Sequence, residues 1–470
     1  MKRLAALLLA GTLAPGILGG CSLAPHYVQP APPVADTWPT GDAYLAQNEA
    51  ALPAISYADV FTDPRLQSLV TQALANNRDI RVAAANLAAA RAQVQVTRAN
   101  QFPDVMANGN VSGDSGTYGA GQKTTYTASA GVSAFELDLF GRLANATAAQ
   151  RDTALATEAA ARTVRLGLVA DLVNAWAGYA ANNELLRIAR DTVVSAGKTV
   201  ALSKARLEGG VAARTELRQA EQVLATAQAD VATQTTLLAQ DRNLVDLLVG
   251  ARADPALLPA DLGQVAATVK TLPAGTSSEV LLRRPDVVTA EYRLRAANAN
   301  IGVARAALFP RISLTGLLGL ASTSLSALFT GDAFHTTLGV GASWSIFNAG
   351  GATAAVSVSQ AQRDAALATY EKAIQTAFRE VSDALARQGT IADELRAVEL
   401  NAAAATDAAQ LTEAQYRGGI ANSLANLVAQ RSAYTAQRTL VTERLSLITN
   451  RVTLYRVLGG DQLAATTPAR

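Results

Sequence analysis

Residues 334–346 alternate strictly. Phe334, Thr336, Leu338, Val340, Ala342, Trp344 and Ile346 fall on one side, and His335, Thr337, Gly339, Gly341, Ser343 and Ser345 on the other. Period two is the signature of a strand. An apolar face backed by small polar residues suits a strand between lipid and water. Weaker alternation over Val105–Val111, Tyr126–Ala134 and Ile312–Leu318 predicts three more strands, each close to the roughly ten tilted residues that cross a bilayer's hydrocarbon. A transmembrane helix over Ile312–Thr330 is the competing reading, because that stretch carries no charge. Its Ser, Thr and Gly content and the preceding Phe309-Pro310 argue against it.

The rest of the pattern is helical. Between Arg142 and Arg206, and again between Ala352 and Arg417, no proline interrupts the chain. At 1.5 Å per residue each run reaches roughly 100 Å. Within the first, Leu166, Val169, Val173 and Trp176 follow 3-4-3 spacing, while Leu168, Leu172, Tyr179 and Leu186 form a second stripe. Two stripes predict two neighbours, as in coiled coils packed side by side. A helix with a single seam on a compact core would show one stripe.

The two halves repeat each other. LAAARAQVQVTRANQFP (Leu87–Pro103) aligns with LRAANANIGVARAALFP (Leu294–Pro310) at an offset of 207 (310 − 103), which also pairs Asp79 with Asp286 and Phe140 with Phe347. At 212 (362 − 150), Gln150-Arg151-Asp152 meets Gln362-Arg363-Asp364, and at 209 (418 − 209) Gly209-Gly210-Val211 meets Gly418-Gly419-Ile420. A tandem duplication of about 200 residues sets the architecture before any length-based domain count. Each copy reads as a helix, a Phe-Pro stop, two strands, a very long helix, a Gly-Gly break and a second helix. Asp63-Pro64, the capping box Thr276-Ser-Ser-Glu279 and Pro285-Asp286 mark helix starts. The predicted organisation is 1–20 signal segment, 21–60 Pro-rich leader, 61–250 first repeat, 251–275 linker, 276–460 second repeat and 461–470 tail. Pro25 to Pro39 predicts an extended leader stiffened by polyproline preference and not packed in a core.

Composition narrows the partners. Half of the residues are hydrophobic but only 5% are aromatic. Alanine supplies much of the difference, favouring slim, closely approaching helices. Forty basic against 38 acidic residues leave +2, too balanced for a nucleic-acid surface. Enzyme motifs are missing: there is no G-x-S-x-G, no Walker loop and no His/Cys cluster, and Gly116-Thr-Tyr-Gly-Ala-Gly121 reverses the dinucleotide fingerprint. No catalytic or metal site is expected.

At the start, Met1-Lys2-Arg3 and the apolar run Leu4–Leu18 read as a secretory signal. Leu18-Gly19-Gly20-Cys21 resembles a bacterial lipoprotein box, which makes Cys21, the sole cysteine, the expected lipid anchor and its covalent lipid the only attached group. Ser22, in place of aspartate, implies sorting to the outer membrane by the same resemblance. The alternative is a solitary buried thiol.

Four strands cannot close around water, and an open edge cannot lie in lipid. Two chains give eight strands, with an interior largely filled by side chains; three give twelve and a conduit. A homotrimer follows.

Leu281-Leu-Arg-Arg-Pro-Asp-Val287, Ala296-Ala-Asn-Ala-Asn-Ile-Gly-Val-Ala-Arg305 and Phe309-Pro-Arg-Ile-Ser-Leu314 resemble the TolC-type outer-membrane factors, in the lipoprotein branch that includes OprM and NodT. The likeness runs from Phe61-Thr-Asp-Pro-Arg65 to Tyr455-Arg-Val-Leu-Gly-Gly460. It implies a mainly α fold with a membrane β-barrel part: long antiparallel coiled-coil helices forming a trimeric α-barrel tunnel, under a shared 12-stranded barrel. It implies an outer-membrane efflux channel docked to a periplasmic adaptor and an inner-membrane pump of the resistance-nodulation-division class. Gly209, Gly210, Gly418 and Gly419 would then lie at adaptor-facing tips. Leu424 matches the residue of an apolar constriction and Arg431 the basic member of a gate network. Val428 stands where the family usually has aspartate, which predicts closure by dewetting rather than a carboxylate ring. Arg214, Glu216, Arg218 and Glu221 offer charge at the equivalent helix start, for pairs between the two copies. A periplasmic coiled-coil lipoprotein that does not perforate the membrane is the rival reading.

Overall fold

A computed structural model describes residues 22–45, 56–114, 123–272 and 277–460. The signal segment 1–20, Cys21, Gly116–Gly121, Thr276 and the tail 461–470 lie outside the described residues. After a single turn at Tyr57–Val60, the main elements are α1 (Pro64–Asn76), α2 (Arg78–Ala99), β1 (Val105–Asp114), β2 (Lys123–Leu137), α3 (Arg142–Glu208) and α4 (Arg214–Val249). They continue as α5 (Leu262–Thr268), α6 (Pro285–Ala306), β3 (Arg311–Ser322), β4 (Phe334–Ser343), α7 (Gly351–Arg417) and α8 (Ser423–Val457). Helices α3 and α7, at equivalent places in the two copies, are each 67 residues long. Both short helices before the strands end ahead of their proline, at Ala99 and Ala306. Proline pushes its predecessor out of the α region, and the last turns unwind before it.

The chain separates into two compact units. Among the described residues the first holds 22–31, 85–114, 123–158 and 289–372. Its centre is one antiparallel sheet in the order β1-β2-β3-β4, with Val105 opposite Val132, Leu137 opposite Ile312 and Ile312 opposite Ala342. Ile312–Thr330 is therefore no membrane helix, and no described helix is long and apolar enough to cross a membrane. Strand β2 is bulged between Val132 and Phe135, with Ala134 at φ 54°. A bulge bends the strand and strengthens its twist. Strand β4 ends at Ser343, earlier than Ile346 as the alternation predicts. There Trp344 turns away, and its indole N–H donates to the Leu308 carbonyl at 3.0 Å.

The leader is a further correction. Far from running unpacked, it is strapped to the first unit's helices. The Ser22 hydroxyl donates to Asn145 (2.8 Å), Asn298 donates to the Pro25 carbonyl (2.7 Å) and Arg305 to the Leu23 carbonyl (3.2 Å). Between those two donors sits Gly302, where a Cβ would lie 2.8 Å from that of Ala24 and 2.5 Å from the Asn145 amide nitrogen. The glycine is a slot for the strap. The Arg295 guanidinium covers the Tyr27 ring at 5.0 Å.

Among the described residues the second unit comprises 32–45, 56–84, 159–272, 277–288 and 373–460. The leader continues into it: Trp38 is buried and stacks on Phe378 at 5.3 Å, and Ser278 donates to the Ala35 carbonyl at 2.7 Å. Leu166, Leu168, Val169, Leu172, Val173, Trp176 and Leu186 are all buried, so both predicted stripes are covered. Tyr179 is half-buried. The Trp176 indole N–H donates to the Leu257 carbonyl at 2.9 Å, which keeps a large ring in the core without an orphaned donor. Asn77 breaks the helix that the sequence reading ran unbroken from Pro64. Its carbonyl oxygen caps the amides of Asp79 and Ile80 at 2.8 and 3.2 Å, and its amide donates to the Leu248 carbonyl at 2.9 Å. The capping box at Thr276 is displaced by one residue: Ser277 caps, accepting from the Glu279 amide at 3.2 Å.

The Arg-Arg-Pro-Asp motif is a structural clamp. Arg284, buried, bonds both oxygens of Asp286 (3.1 and 2.8 Å), Glu380 at 2.7 Å and the Val457 carbonyl at 3.0 Å. It ties the start of α6 to α7 and to the end of α8. Burial works against a charge at Asp286, but Arg284 beside it wins and holds the carboxyl below its usual range.

Candidate functional site

Two places carry the chemistry that the sequence points to. In the second unit, α3 passes into α4, and α7 into α8, through matching turns. Gly210 and Gly419 have φ of 76° and 75°, a left-handed conformation that glycine adopts without a Cβ penalty. Around them, the Val211 amide donates to the Arg206 carbonyl (2.9 Å) and Gly210 to Leu207 (3.0 Å). Ile420 to Gln415 (2.8 Å) and Gly419 to Tyr416 (3.2 Å) repeat the pattern. These are Schellman caps, closing the last carbonyls of each long helix. Gly209 and Gly418 need no positive φ. The next helix starts differ: Asn422 caps α8 by accepting from the Ala425 amide at 2.8 Å, whereas Ala213 before α4 has no side chain to offer.

Past the turns, Leu424, Val428 and Arg431 of α8 line one groove of about 310 Å³ with Gln219, Gln222 and Val223 of α4. Leu424 and Val428 are 58% and 52% exposed, an apolar pair facing out of the chain. The structure thus brings three of the sequence-chosen gate residues together. Glu216 and Arg218 do not line the groove; Arg218 pairs within its own helix with Glu221 at 2.5 Å. No ion pair ties Arg431 to α4 among the described residues.

The tie between α4 and α8 is instead one that the sequence reading missed. The Tyr434 hydroxyl donates to Asp230 at 2.6 Å, Arg438 donates to the same oxygen at 3.1 Å, and the guanidinium lies 5.3 Å from the Tyr434 ring centre. Burial and the neighbouring carboxylate together push the Tyr434 phenol far up, so it stays a donor. Tyr434 and Arg438 are four residues apart on one helix face, the only local signal available. Behind the groove, the Gln430 amide donates to Thr199 at 3.0 Å, and Arg206 covers the Tyr416 ring at 4.9 Å.

The second place is the sheet of the first unit. Its outer strands β1 and β4 pair on one side only, and Leu338 and Val340 of β4 are 82% and 73% exposed. A sheet with bare edges and bare apolar side chains is incomplete as it stands. The charged base of the sheet is closed off by Arg142, which donates to both oxygens of Glu136 at 2.8 and 2.6 Å. Among the described residues no group of His, Cys, Asp and Glu side chains could hold a metal ion.

Comparison with known proteins agrees with this architecture. The family model described as outer membrane efflux protein matches twice, over residues 69–251 and 276–460. The probable efflux pump outer membrane protein TtgC of Pseudomonas putida is 41% identical over 456 residues, covering 94% of this chain and 93% of that protein. The cation efflux system protein CusC of Escherichia coli is 36% identical over 450 residues, covering 94% of this chain and 97% of that protein. Among solved structures, CusC superposes with a TM-score of 0.84 at 34% identity, covering 94% of this chain and all of that one. The open state of the Neisseria gonorrhoeae MtrE outer membrane channel does so with 0.85 at 31%, covering 95% and 100%. These neighbours are channels, which disfavours the non-perforating scaffold. Matched by one family in both halves and by solved channels along almost its whole length, the chain belongs to the outer membrane efflux proteins, non-enzymatic transport components of that membrane.

Proposed function

We propose that three copies of this chain form the outer-membrane exit duct of a tripartite efflux pump. The ring is filled from a periplasmic adaptor and an inner-membrane pump of the resistance-nodulation-division class, and is tethered by lipid on Cys21. The observation that carries this reading is the four-stranded sheet with two open edges. Backbone groups cannot stay unpaired in hydrocarbon, and three such sheets close a barrel of twelve strands wide enough for water.

In this reading the turns at Gly209-Gly210 and Gly418-Gly419 meet the adaptor. The exposed Leu424 and Val428 converge on the axis, where a ring of apolar side chains closes a pore by dewetting. In this reading the duct conducts passively, and selection of cargo belongs to the pump.

Detergent extraction followed by light scattering and single-channel recording in planar bilayers tests this. A trimer that conducts, and conducts more after Leu424→Ser, is the expected result. A monomer, or a trimer whose Leu424→Ser conductance is unchanged, overturns the ring or the gate respectively.

A further inference from the structure

In the second unit, α3, α7 and α8 border a cavity of about 310 Å³ that shares no residue with the Leu424–Val428 groove. Its lining includes Lys198 and Leu202 of α3, Glu413, Tyr416 and Arg417 of α7, and Asn426 of α8. Asn426 stands two residues from each of Leu424 and Val428, about 200° round the helix, so it faces away from their groove. It is 0% exposed, yet neither its Nδ2 nor its Oδ1 has a partner. A buried carboxamide is normally bonded, because leaving its donor and acceptor unmade costs their full desolvation.

The neighbouring groups are occupied or of one sign. Thr199, also in the lining, accepts from Gln430 at 3.0 Å, and the Tyr416 hydroxyl lies 3.5 Å from that of Ser203. Glu413 pairs with Arg417, whereas Lys198 has no carboxylate partner among the described residues. The guanidinium of Arg206 covers the Tyr416 ring at 4.9 Å. Cations therefore outnumber the single lining carboxylate.

The duplicated scaffold does without this chemistry. At the offset of 209, Lys198, Glu413, Tyr416, Arg417 and Asn426 correspond to Asp407, Lys204, Leu207, Glu208 and Leu217. Each charge changes sign, and the phenol and the amide both become leucine. Lys204 and Glu208 pair at 4.0 Å, repeating the Glu413–Arg417 bridge in reverse. Only Leu202 keeps its type, as Leu411. A helical hairpin of this design thus folds with leucine where Asn426 stands.

A small cavity with an apolar body and a few convergent polar groups is the usual form of a small-molecule site. We propose that this one binds a compact aromatic carboxylate. Lys198 and Arg417 hold the carboxylate, Leu202 and the Tyr416 ring take the flat apolar body, and the Asn426 amide meets a hydroxyl at the far end of the ligand. An occupant touches three helices at once, so it stabilises the described arrangement by mass action. The site lies within one chain and does not depend on how many copies assemble.

Isothermal titration of the full-length lipoprotein in lipid nanodiscs tests this, with benzoate, 4-hydroxybenzoate and uncharged benzyl alcohol as probes. Both acids are expected to bind and to raise the melting temperature, 4-hydroxybenzoate more tightly, and benzyl alcohol to do neither. Lys198→Met, on an exposed side chain, should weaken both acids about tenfold or more, as loss of a charge-assisted hydrogen bond implies. Asn426→Leu should erase the preference for the hydroxylated acid while benzoate still binds, and Leu202→Trp should fill the cavity and abolish both. No binding to the parent overturns the proposal. So does equal binding of benzyl alcohol, which would be apolar partitioning, or an unchanged affinity in Lys198→Met. Light scattering on the same samples reports the oligomer separately, so a failed ring and a failed site are told apart.

Discussion

Asp230→Ala is the substitution that asks most of the proposed gate. Asp230 accepts from the Tyr434 hydroxyl at 2.6 Å and from Arg438 at 3.1 Å, and these bonds hold α4 to α8 beside the Leu424–Val428 groove. A hydrogen bond to a charged group contributes about 1.5–3 kcal/mol. The ion pair adds less, about 0.2–1 kcal/mol, because Arg438 keeps 42% of its side-chain surface. Removing the carboxylate therefore weakens the tie by about 2–4 kcal/mol per chain. If α8 swings away from α4 when the duct opens, the described arrangement loses that advantage, and at about 1.4 kcal/mol per tenfold the open state gains at least about 25-fold. Open probability in planar bilayers measures this, with the melting temperature followed alongside. Asp230→Asn, which keeps an acceptor for Tyr434 but no charge for Arg438, should fall between. A variant that melts lower yet opens no more often would show that the tie stabilises both states equally, and that the moving joint lies elsewhere.

Three further outcomes are expected. Val428→Asp places a carboxylate ring on the proposed axis and should shift the reversal potential in a potassium chloride gradient toward cation preference; an unshifted potential removes residue 428 from the pore. Arg284→Ala leaves Asp286 and Glu380 without their cation and should cost about 2–3 kcal/mol, below the fully buried case because both carboxylates keep some solvent. Since the folded Asp286 pKa is depressed, its stabilisation is present above the unfolded carboxyl's pKa of about 4 and is lost as pH falls through the lower folded value; melting scans should show this acid loss in the parent and less of it in the variant. Gly302→Val fills the slot beside Ala24 and should expose the leader to protease near residue 24, while the parent resists.

Much of this was open to reading because it repeats. A duplicated string such as Phe-Pro with its upstream Arg is evidence within a single sequence, and strict alternation over 334–346 leaves one reading of secondary structure. What escaped depends on contacts far apart in the chain. Asn77 looks like an ordinary polar helix residue until Leu248 supplies a carbonyl for its amide. Trp38 sits in a proline-rich run whose local preference is extended; its burial comes from Phe378, 340 positions later (378 − 38). Asp230 is one acidic residue among several on α4, and nothing near it announces Tyr434. The break in β4 at Trp344 is equally non-local, set by the Leu308 carbonyl.

The turns at the two helical hairpins are twins on one side and unlike on the other. Both long helices finish in Schellman caps, but only α8 starts with a capping side chain, from Asn422; Ala213 has no side chain to cap the first amides of α4. Such a cap contributes about 1 kcal/mol, so the first turn of α4 frays several times more often than that of α8. In a ring of three chains, firm and yielding corners would alternate around the rim. A protein gripping all six would find two mechanical classes of foothold, and its own units would have to settle in pairs.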